Sequence, residues 1–339
     1  MVATLSVPEQ FSAVRTTYLK EEKRVESTLA SLSLDDLSAG EVVIRNHYAG
    51  VNYKDCLAVT GKAKIIESYP RIAGIEVVGQ VVSSASAAFA VGQMVTVHGF
   101  QTGIRYDGGF AEFVRAPADH VMAIPDGLTP WETAMIGVPG FTVAMALERF
   151  QSLGITPASG PVAVSGATGA VGMLALQILS RAGYQVVALT RRPVLAPMLV
   201  GLGAAEVMDI SGIGEQTRLV EQPRFAAAID NVSGPTLSWL LRSLKDNGAL
   251  AGVGNASGNA FDCNVLPFIL RNACMFGVVA NASWDVRKRL WQRLANDWRP
   301  DFSTLAPHVH TIPLHELLPY SERHLQGQSS GRTLVKFNA

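Results

Sequence analysis

The run from Val162 to Gly172, Val-Ala-Val-Ser-Gly-Ala-Thr-Gly-Ala-Val-Gly, sets Gly166, Gly169 and Gly172 between a short apolar strand and a helix. That pattern suits a dinucleotide. Glycine allows a tight turn, lets main-chain N–H groups approach a pyrophosphate and permits close strand–helix packing, while unpaired N–H groups at the helix N-terminus face the anion. Ser165, Thr168, Gly169, Ala170 and Val171 are therefore expected to contact such a ligand. A glycine triplet alone would be weak evidence. Here it follows a buried strand over 162–165 and precedes apolar residues at helical spacing over 171–182.

The next apolar strand, Gln185 to Leu189, ends in Thr190, Arg191 and Arg192, where an adenosine ribose is usually read. No carboxylate stands there. An Asp or Glu would accept from both ribose hydroxyls and repel a 2′-phosphate, whereas a hydroxyl and two guanidiniums attract that phosphate through charge-assisted bonds. The expected cofactor is thus NADPH rather than NADH, with Arg192 as main contact and Thr190 assisting; arginines at a solvated rim are the alternative. Asn231 and Asn255 lie in loops, Ala228 to Gly234 and Ala251 to Asn255, whose small residues suit close backbone approach to a ligand and equally suit a tight turn.

Stepping outward, strand candidates at Val162–Ser165, Gln185–Leu189, Ala205–Asp209, Phe225–Asp230, Ala249–Val253 and Cys274–Val279 alternate with helices, the pattern of a doubly wound parallel sheet. The first 130 or so residues differ. Short runs at Glu41–Ala49, Val77–Ser83, Gln93–His98 and Phe110–Ala116, punctuated by Gly and Pro, indicate an antiparallel, barrel-like domain. Val309–Pro313 and Thr333–Phe337 flank a helical stretch from Leu314 to Leu325, and the last strand is expected to return to the first domain. The fold class is α/β: a Rossmann-type domain, 137–302, inserted in a β-rich domain made of 1–136 and 303–339.

With 339 residues, 48% apolar and 17% charged, the chain is long enough for two cores, and its formal net charge of zero offers no reason to expect a nucleic acid or an anionic membrane as partner. Cys56, Cys263 and Cys274 show neither a disulfide framework nor a CxxC spacing, so a reducing, cytoplasmic setting is the default. No leader and no membrane span are expected. His308 and His310 alternate along a strand but lack a third ligand nearby, and surface polar residues are the preferred reading.

Val51-Asn-Tyr-Lys-Asp55, Thr60-Gly-Lys62, Gly74-Ile-Glu76, Gly140-Phe-Thr142, Pro267-Phe-Ile-Leu-Arg-Asn272 and Gly331-Arg-Thr-Leu-Val-Lys336 complete the picture. Together with the domain order they resemble the medium-chain dehydrogenase/reductase superfamily over essentially the whole chain, and in particular its zinc-independent acrylyl-CoA reductase branch, whose YhdH-like members are also labelled quinone oxidoreductases. The resemblance implies a GroES-like catalytic domain beside the Rossmann domain. It also implies a homodimer joined through the edge strand after Pro267–Asn272, a loop-covered edge and a monomer being the alternative. In zinc-dependent relatives the positions matching Asn52, Ile75 and Val138 hold cysteine, histidine and cysteine; asparagine, isoleucine and valine cannot bind a catalytic Zn²⁺, so no metal is expected.

A nicotinamide site without a Lewis acid can still reduce a carbon–carbon double bond that a conjugated carbonyl polarises, if the protein stabilises the enolate oxygen and a proton reaches the α-carbon. Donors in the Asn-Tyr-Lys-Asp segment are Asn52, Tyr53 and Lys54; Tyr53 and Asn52 are taken as catalytic, and Tyr53 also as a cofactor contact, a ring packed at a strand end being the bland alternative. Asp55 could hold Lys54, hold a loop amide or cap a helix. By the resemblance Glu76 is a structural carboxylate. Residues 106–109 could form a mobile substrate lip, and Lys62, Lys64, Arg71, Arg105 and Arg271 are candidates for the phosphates of a CoA thioester. The expected reaction is NADPH-dependent reduction of acryloyl-CoA to propionyl-CoA. Quinone reduction is the first alternative, and a non-catalytic NADPH- or RNA-binding protein, disfavoured by the neutral charge, is the alternative from another class.

Overall fold

The computed structural model describes residues 7–213 and 218–338. The chain forms two compact units, Met1–Val138 with His308–Ala339, and Pro139–Pro307.

In the second unit six strands pair in the spatial order Glu206–Asp209, Val186–Thr190, Val162–Val164, Phe225–Asp230, Leu244–Gly252 and Cys274–Gly277, every neighbour parallel. In chain order this is 3-2-1-4-5-6, with the order reversing between Val162–Val164 and Phe225–Asp230, where a doubly wound sheet binds its ligand. The central strands are buried on both faces, as the runs Val-Ala-Val and Phe-Ala-Ala-Ala-Ile-Asp require. The helix Ala170–Arg181 buries Gly172 through Leu179, a continuous block that charged residues would have prevented. The strand expected from Ala249 begins earlier, at Leu244, because Leu244 itself is buried beside Phe225.

In the first unit a seven-stranded sheet runs Val309–Ile312, Arg332–Lys336, Val42–Val51, Glu76–Ser84, Met94–His98 and Val121–Ala123, with Phe113–Ala116 also paired to Val42–Val51. Val42 and Ile44 enter one apolar cluster and Val43 another, so both faces of this strand are covered. The C-terminal strand pairs antiparallel with Val42–Val51 through Thr333 opposite Val51, which carries Arg332 to the end of that strand. Two features depart from expectation. Phe11–Leu19 and Arg24–Leu32 form an antiparallel hairpin that sequence reading passed over, since the second strand is mostly exposed and shows little alternation. The strand expected from Phe110 starts at Phe113, with Phe110 tied instead to Ala73 and Val14 through its main chain. Residues 314–325 form a 3₁₀ turn, Leu314–Glu316, and then the helix Leu317–Leu325. No helix among the described residues is long and apolar enough to cross a membrane.

Candidate active site

In the first unit the Asn-Tyr-Lys-Asp segment opens the helix Tyr53–Thr60. Asn52 is the N-cap, and its main-chain N–H donates to Asp55 Oδ2 at 3.0 Å, which settles Asp55 as a helix-capping carboxylate. Asp55 also accepts from Asn52 Nδ2 at 2.9 Å and, through Oδ1, from the Ile75 N–H at 3.0 Å. Burial pushes its carboxyl up to about 7, reinforced by nearby Glu76 and opposed by the donors from Asn52 and Ile75.

Behind Asn52 lies an ion pair between Arg332 Nη2 and Glu76 Oε2, with side-chain exposures of 1% and 4%. Arg332 also donates to Asn52 Oδ1 at 3.2 Å and to the Ala134 carbonyl at 3.2 Å, and Glu76 Oε1 accepts from Asn52 Nδ2 at 2.7 Å. Room for the pair comes from Gly50 and Gly137, where a Cβ would overlap both the guanidinium and the carboxylate. Gly137 moreover has φ of +46°, a conformation that glycine adopts without penalty.

This cluster corrects one expectation and sharpens another. Both N–H groups of Asn52 are spent on Asp55 and Glu76, so Asn52 has no hydrogen left to donate to a substrate. The half-buried Tyr53 makes no hydrogen bond through its hydroxyl to any described residue, and its ring packs against His324 with centroids 6.1 Å apart. Lys54 is exposed. A Zn²⁺ does not fit at this position: the side chains of Asn52, Ile75 and Val138 offer no thiolate or imidazole, and the Asn52 amide is already committed to Asp55, Glu76 and Arg332.

The rim cations separate into committed and open groups. Arg271 donates to the carbonyls of Arg242, Leu244 and Glu221, and Arg71 is held by Ser38, Ser68 and Asp107, so neither is open to a phosphate as expected. Arg105 pairs with Glu67 and Lys62 with Glu322 at exposed positions, and Lys64 is exposed.

In the second unit the glycine run behaves as its spacing demands. Gly166 has φ of +57°, and a Cβ on Gly172 would lie 2.6 Å from the Ala167 Cα, so a side chain would force the helix off the loop. Gly169 caps the helix, and the N–H groups of Ala170 and Val171 fall in its first turn, where no intrahelical acceptor exists. Thr168 and Arg192 meet: Arg192 Nη2 donates to Thr168 Oγ1 at 2.8 Å, while the Arg192 N–H donates to Thr190 Oγ1 at 2.9 Å. Thr190 thereby orients Arg192 rather than standing as a separate contact. Arg191 and Arg192 are exposed.

Ser165 braces the sheet. Its hydroxyl donates to Asp230 at 2.6 Å and accepts from the Asn231 N–H at 2.9 Å, knotting together the carboxyl ends of the two central strands. Burial raises the pKa of Asp230, with the bonds from Ser165 and Ser233 opposing. Asn231 donates to the Ser165 carbonyl at 2.7 Å and keeps a buried Oδ1 that no described residue satisfies, an acceptor placed beside the glycine loop. Asn255 is exposed and bonded to Asn259. Glycine cradle, helix N-terminus, orphan acceptor and braced arginine together fit a dinucleotide.

Sequence reasoning missed Arg332 and Asp230. Arg332 does stand out as a cation opening the apolar strand Arg-Thr-Leu-Val-Lys, but its partner is 256 residues away.

A 3-2-1-4-5-6 parallel sheet with a glycine-rich turn, joined to a β-rich unit that the chain's two ends build, is the plan of a medium-chain dehydrogenase/reductase. Residues 38–126 match the family described as alcohol dehydrogenase GroES-like domain, and residues 170–296 match the zinc-binding dehydrogenase family. A protein of Escherichia coli (strain K12) named "Probable acrylyl-CoA reductase AcuI" is 37% identical, covering 94% of this chain and 98% of its own. Acrylyl-CoA reductase AcuI of Ruegeria pomeroyi is 33% identical over 97% of this chain and 100% of its own. The crystal structure of the yhdH oxidoreductase from Salmonella enterica, in complex with NADP, superposes with a TM-score of 0.90 at 34% identity, covering 96% of this chain and 100% of that one. The chain belongs to the medium-chain dehydrogenase/reductase family, in the branch that contains these AcuI and YhdH proteins.

Removing one member of a buried ion pair leaves the other charge uncompensated. Arg332→Leu is expected to lower the free energy of unfolding by about 3–5 kcal/mol in a denaturant titration, whereas Glu67→Gln, in an exposed pair with Arg105, should leave the unfolding midpoint essentially unchanged.

Proposed function

We propose that the protein is an NADPH-dependent, zinc-independent reductase of an activated carbon–carbon double bond, and that acryloyl-CoA giving propionyl-CoA is its reaction. The observation that carries this reading is the side-chain set Asn52, Ile75 and Val138, which offers no thiolate or imidazole at the positions the resemblance assigns to a catalytic metal's ligands, with Asn52 tied up by the buried Glu76–Arg332 pair. A polarised alkene needs no Lewis acid, because its own carbonyl accepts the developing charge. When bound, NADPH supplies the hydride that the β-carbon receives. The Tyr53 hydroxyl, uncommitted within the protein, donates to the thioester oxygen as negative charge gathers there, and the α-carbon takes its proton from solvent. Asn52 positions Tyr53 by capping its helix. Relatives that bear acrylyl-CoA reductase names support the thioester as substrate, with Lys64 and, by exchange from their exposed partners, Lys62 and Arg105 meeting its phosphates.

NADPH is preferred over NADH through Arg192, which Thr168 and Thr190 brace at the end of the second strand of the sheet. The Ala170 and Val171 N–H groups hold the pyrophosphate and the Asn231 Oδ1 accepts from the cofactor. Asn255 closes the loop beside it. A homodimer is part of the same reading: the edge strand Cys274–Gly277 adjoins exposed Ile269, Leu270 and Val279. The cytoplasm suits its three free cysteines.

Steady-state loss of NADPH absorbance with acryloyl-CoA, crotonyl-CoA and a naphthoquinone tests the substrate. Fast turnover of acryloyl-CoA is expected, and turnover with the quinone alone would overturn the assignment. For the cofactor, Arg192→Ala is expected to weaken NADPH binding by about 1.5–3 kcal/mol in a calorimetric titration while leaving NADH nearly unchanged. Equal losses for the two cofactors would remove Arg192 from phosphate recognition.

A further inference from the structure

Among the described residues none hydrogen-bonds the Tyr53 hydroxyl, so its direction depends on what the ring packs against. That neighbour is His324, in the last turn of the helix Leu317–Leu325, which packs on the helix that Tyr53 begins. The imidazole is itself fixed. Its Nδ1 lies 2.6 Å from Ser329 Oγ and 3.3 Å from the Tyr320 hydroxyl, and its ring stacks on Tyr320 at 5.6 Å with a 27° interplanar angle. Tyr320 is 8% exposed and therefore a rigid backing. The Tyr53 ring meets this assembly at 55°, a tilted aromatic contact within the range in which such pairs attract.

We infer that His324 is a positioning residue: backed by Tyr320 and tethered by Ser329, it selects the rotamer that aims the Tyr53 hydroxyl at the reacting carbonyl. The inference rests on the role proposed for Tyr53. Burial holds the His324 pKa below the usual histidine value, in keeping with a neutral ring that accepts a hydroxyl hydrogen at Nδ1. Without the imidazole the phenol gains staggered alternatives, and misplacing a reacting group by about 1 Å can cost on the order of a hundredfold in rate.

The test is a double-mutant cycle read in kcat, with KM for NADPH and the melting curve measured alongside. Tyr53→Phe should slow kcat at least about tenfold. His324→Ala should slow it by about ten- to a hundredfold with KM for NADPH unchanged, and His324→Phe, which restores a ring, should recover most of the loss. His324→Ala added to Tyr53→Phe should cost nothing further, because its target is gone. If the two losses multiply, or if His324→Phe is as slow as His324→Ala, His324 does not act through Tyr53 and the inference falls while the role of Tyr53 stands. A Tyr53→Phe enzyme at full rate would overturn that role and the inference with it. His324→Phe also keeps the test usable should the alanine variant not fold.

Discussion

Glu76 and Arg332 are both almost wholly out of water, and taking two charges from water costs several kcal/mol per ion unless their attraction and further hydrogen bonds offset it. Much of the first unit's local structure serves that requirement. Gly50 and Gly137 clear the space, the Ala134 carbonyl and Asn52 Oδ1 accept the remaining guanidinium hydrogens they reach, and Asn52 Nδ2 satisfies the second carboxylate oxygen. Asn52 is then locked, and with Asp55 it sets where the helix Tyr53–Thr60 starts. An electrostatic demand in the core thus becomes a geometric constraint on Tyr53. The guanidinium is neutralised by Glu76, so the pair holds Asn52 in place without presenting a net charge to a substrate.

In the second unit the constraint is one of unpaired main-chain groups. A helix that begins at Ala170 leaves first-turn N–H groups without acceptors, while Gly166 allows the loop its positive-φ turn and Gly172 lets the helix pack closely on that loop. Arg192 is held in place at the end of the second strand. The Thr168 hydroxyl, from the glycine loop, accepts from the guanidinium and restricts a side chain that would otherwise lose much rotamer entropy on meeting a phosphate, while the Thr190 hydroxyl, from the end of the neighbouring strand, accepts from the Arg192 main-chain N–H. Ser165 and Asp230 stiffen the point where the sheet order reverses.

Local signals in the sequence were enough to find the parallel sheet, the glycine turn and the arginines, because each depends on neighbours a few residues away. The hairpin Phe11–Leu32 escaped notice because its outer strand faces solvent and alternates weakly. The role of Asn52 was misjudged for another reason: an amide rich in hydrogen-bonding capacity looks like a free donor until its partners are known, and Glu76 and Arg332 are brought to it by sheet pairing across most of the chain. Arg71 and Arg271 were misread in the same way. A cation in a sequence carries no mark of the carbonyls or carboxylates that occupy it once the chain folds.

The buried Glu76–Arg332 pair and the Asn52, Ile75 and Val138 side chains leave the first unit no ligand set for a catalytic zinc. Zinc independence is tested most directly by elemental analysis of protein purified from zinc-supplemented cells, with turnover of acryloyl-CoA measured before and after exhaustive chelation. The account predicts zinc well below one atom per chain and no change in turnover. Stoichiometric zinc whose removal abolishes activity, and whose return restores it, would contradict the account.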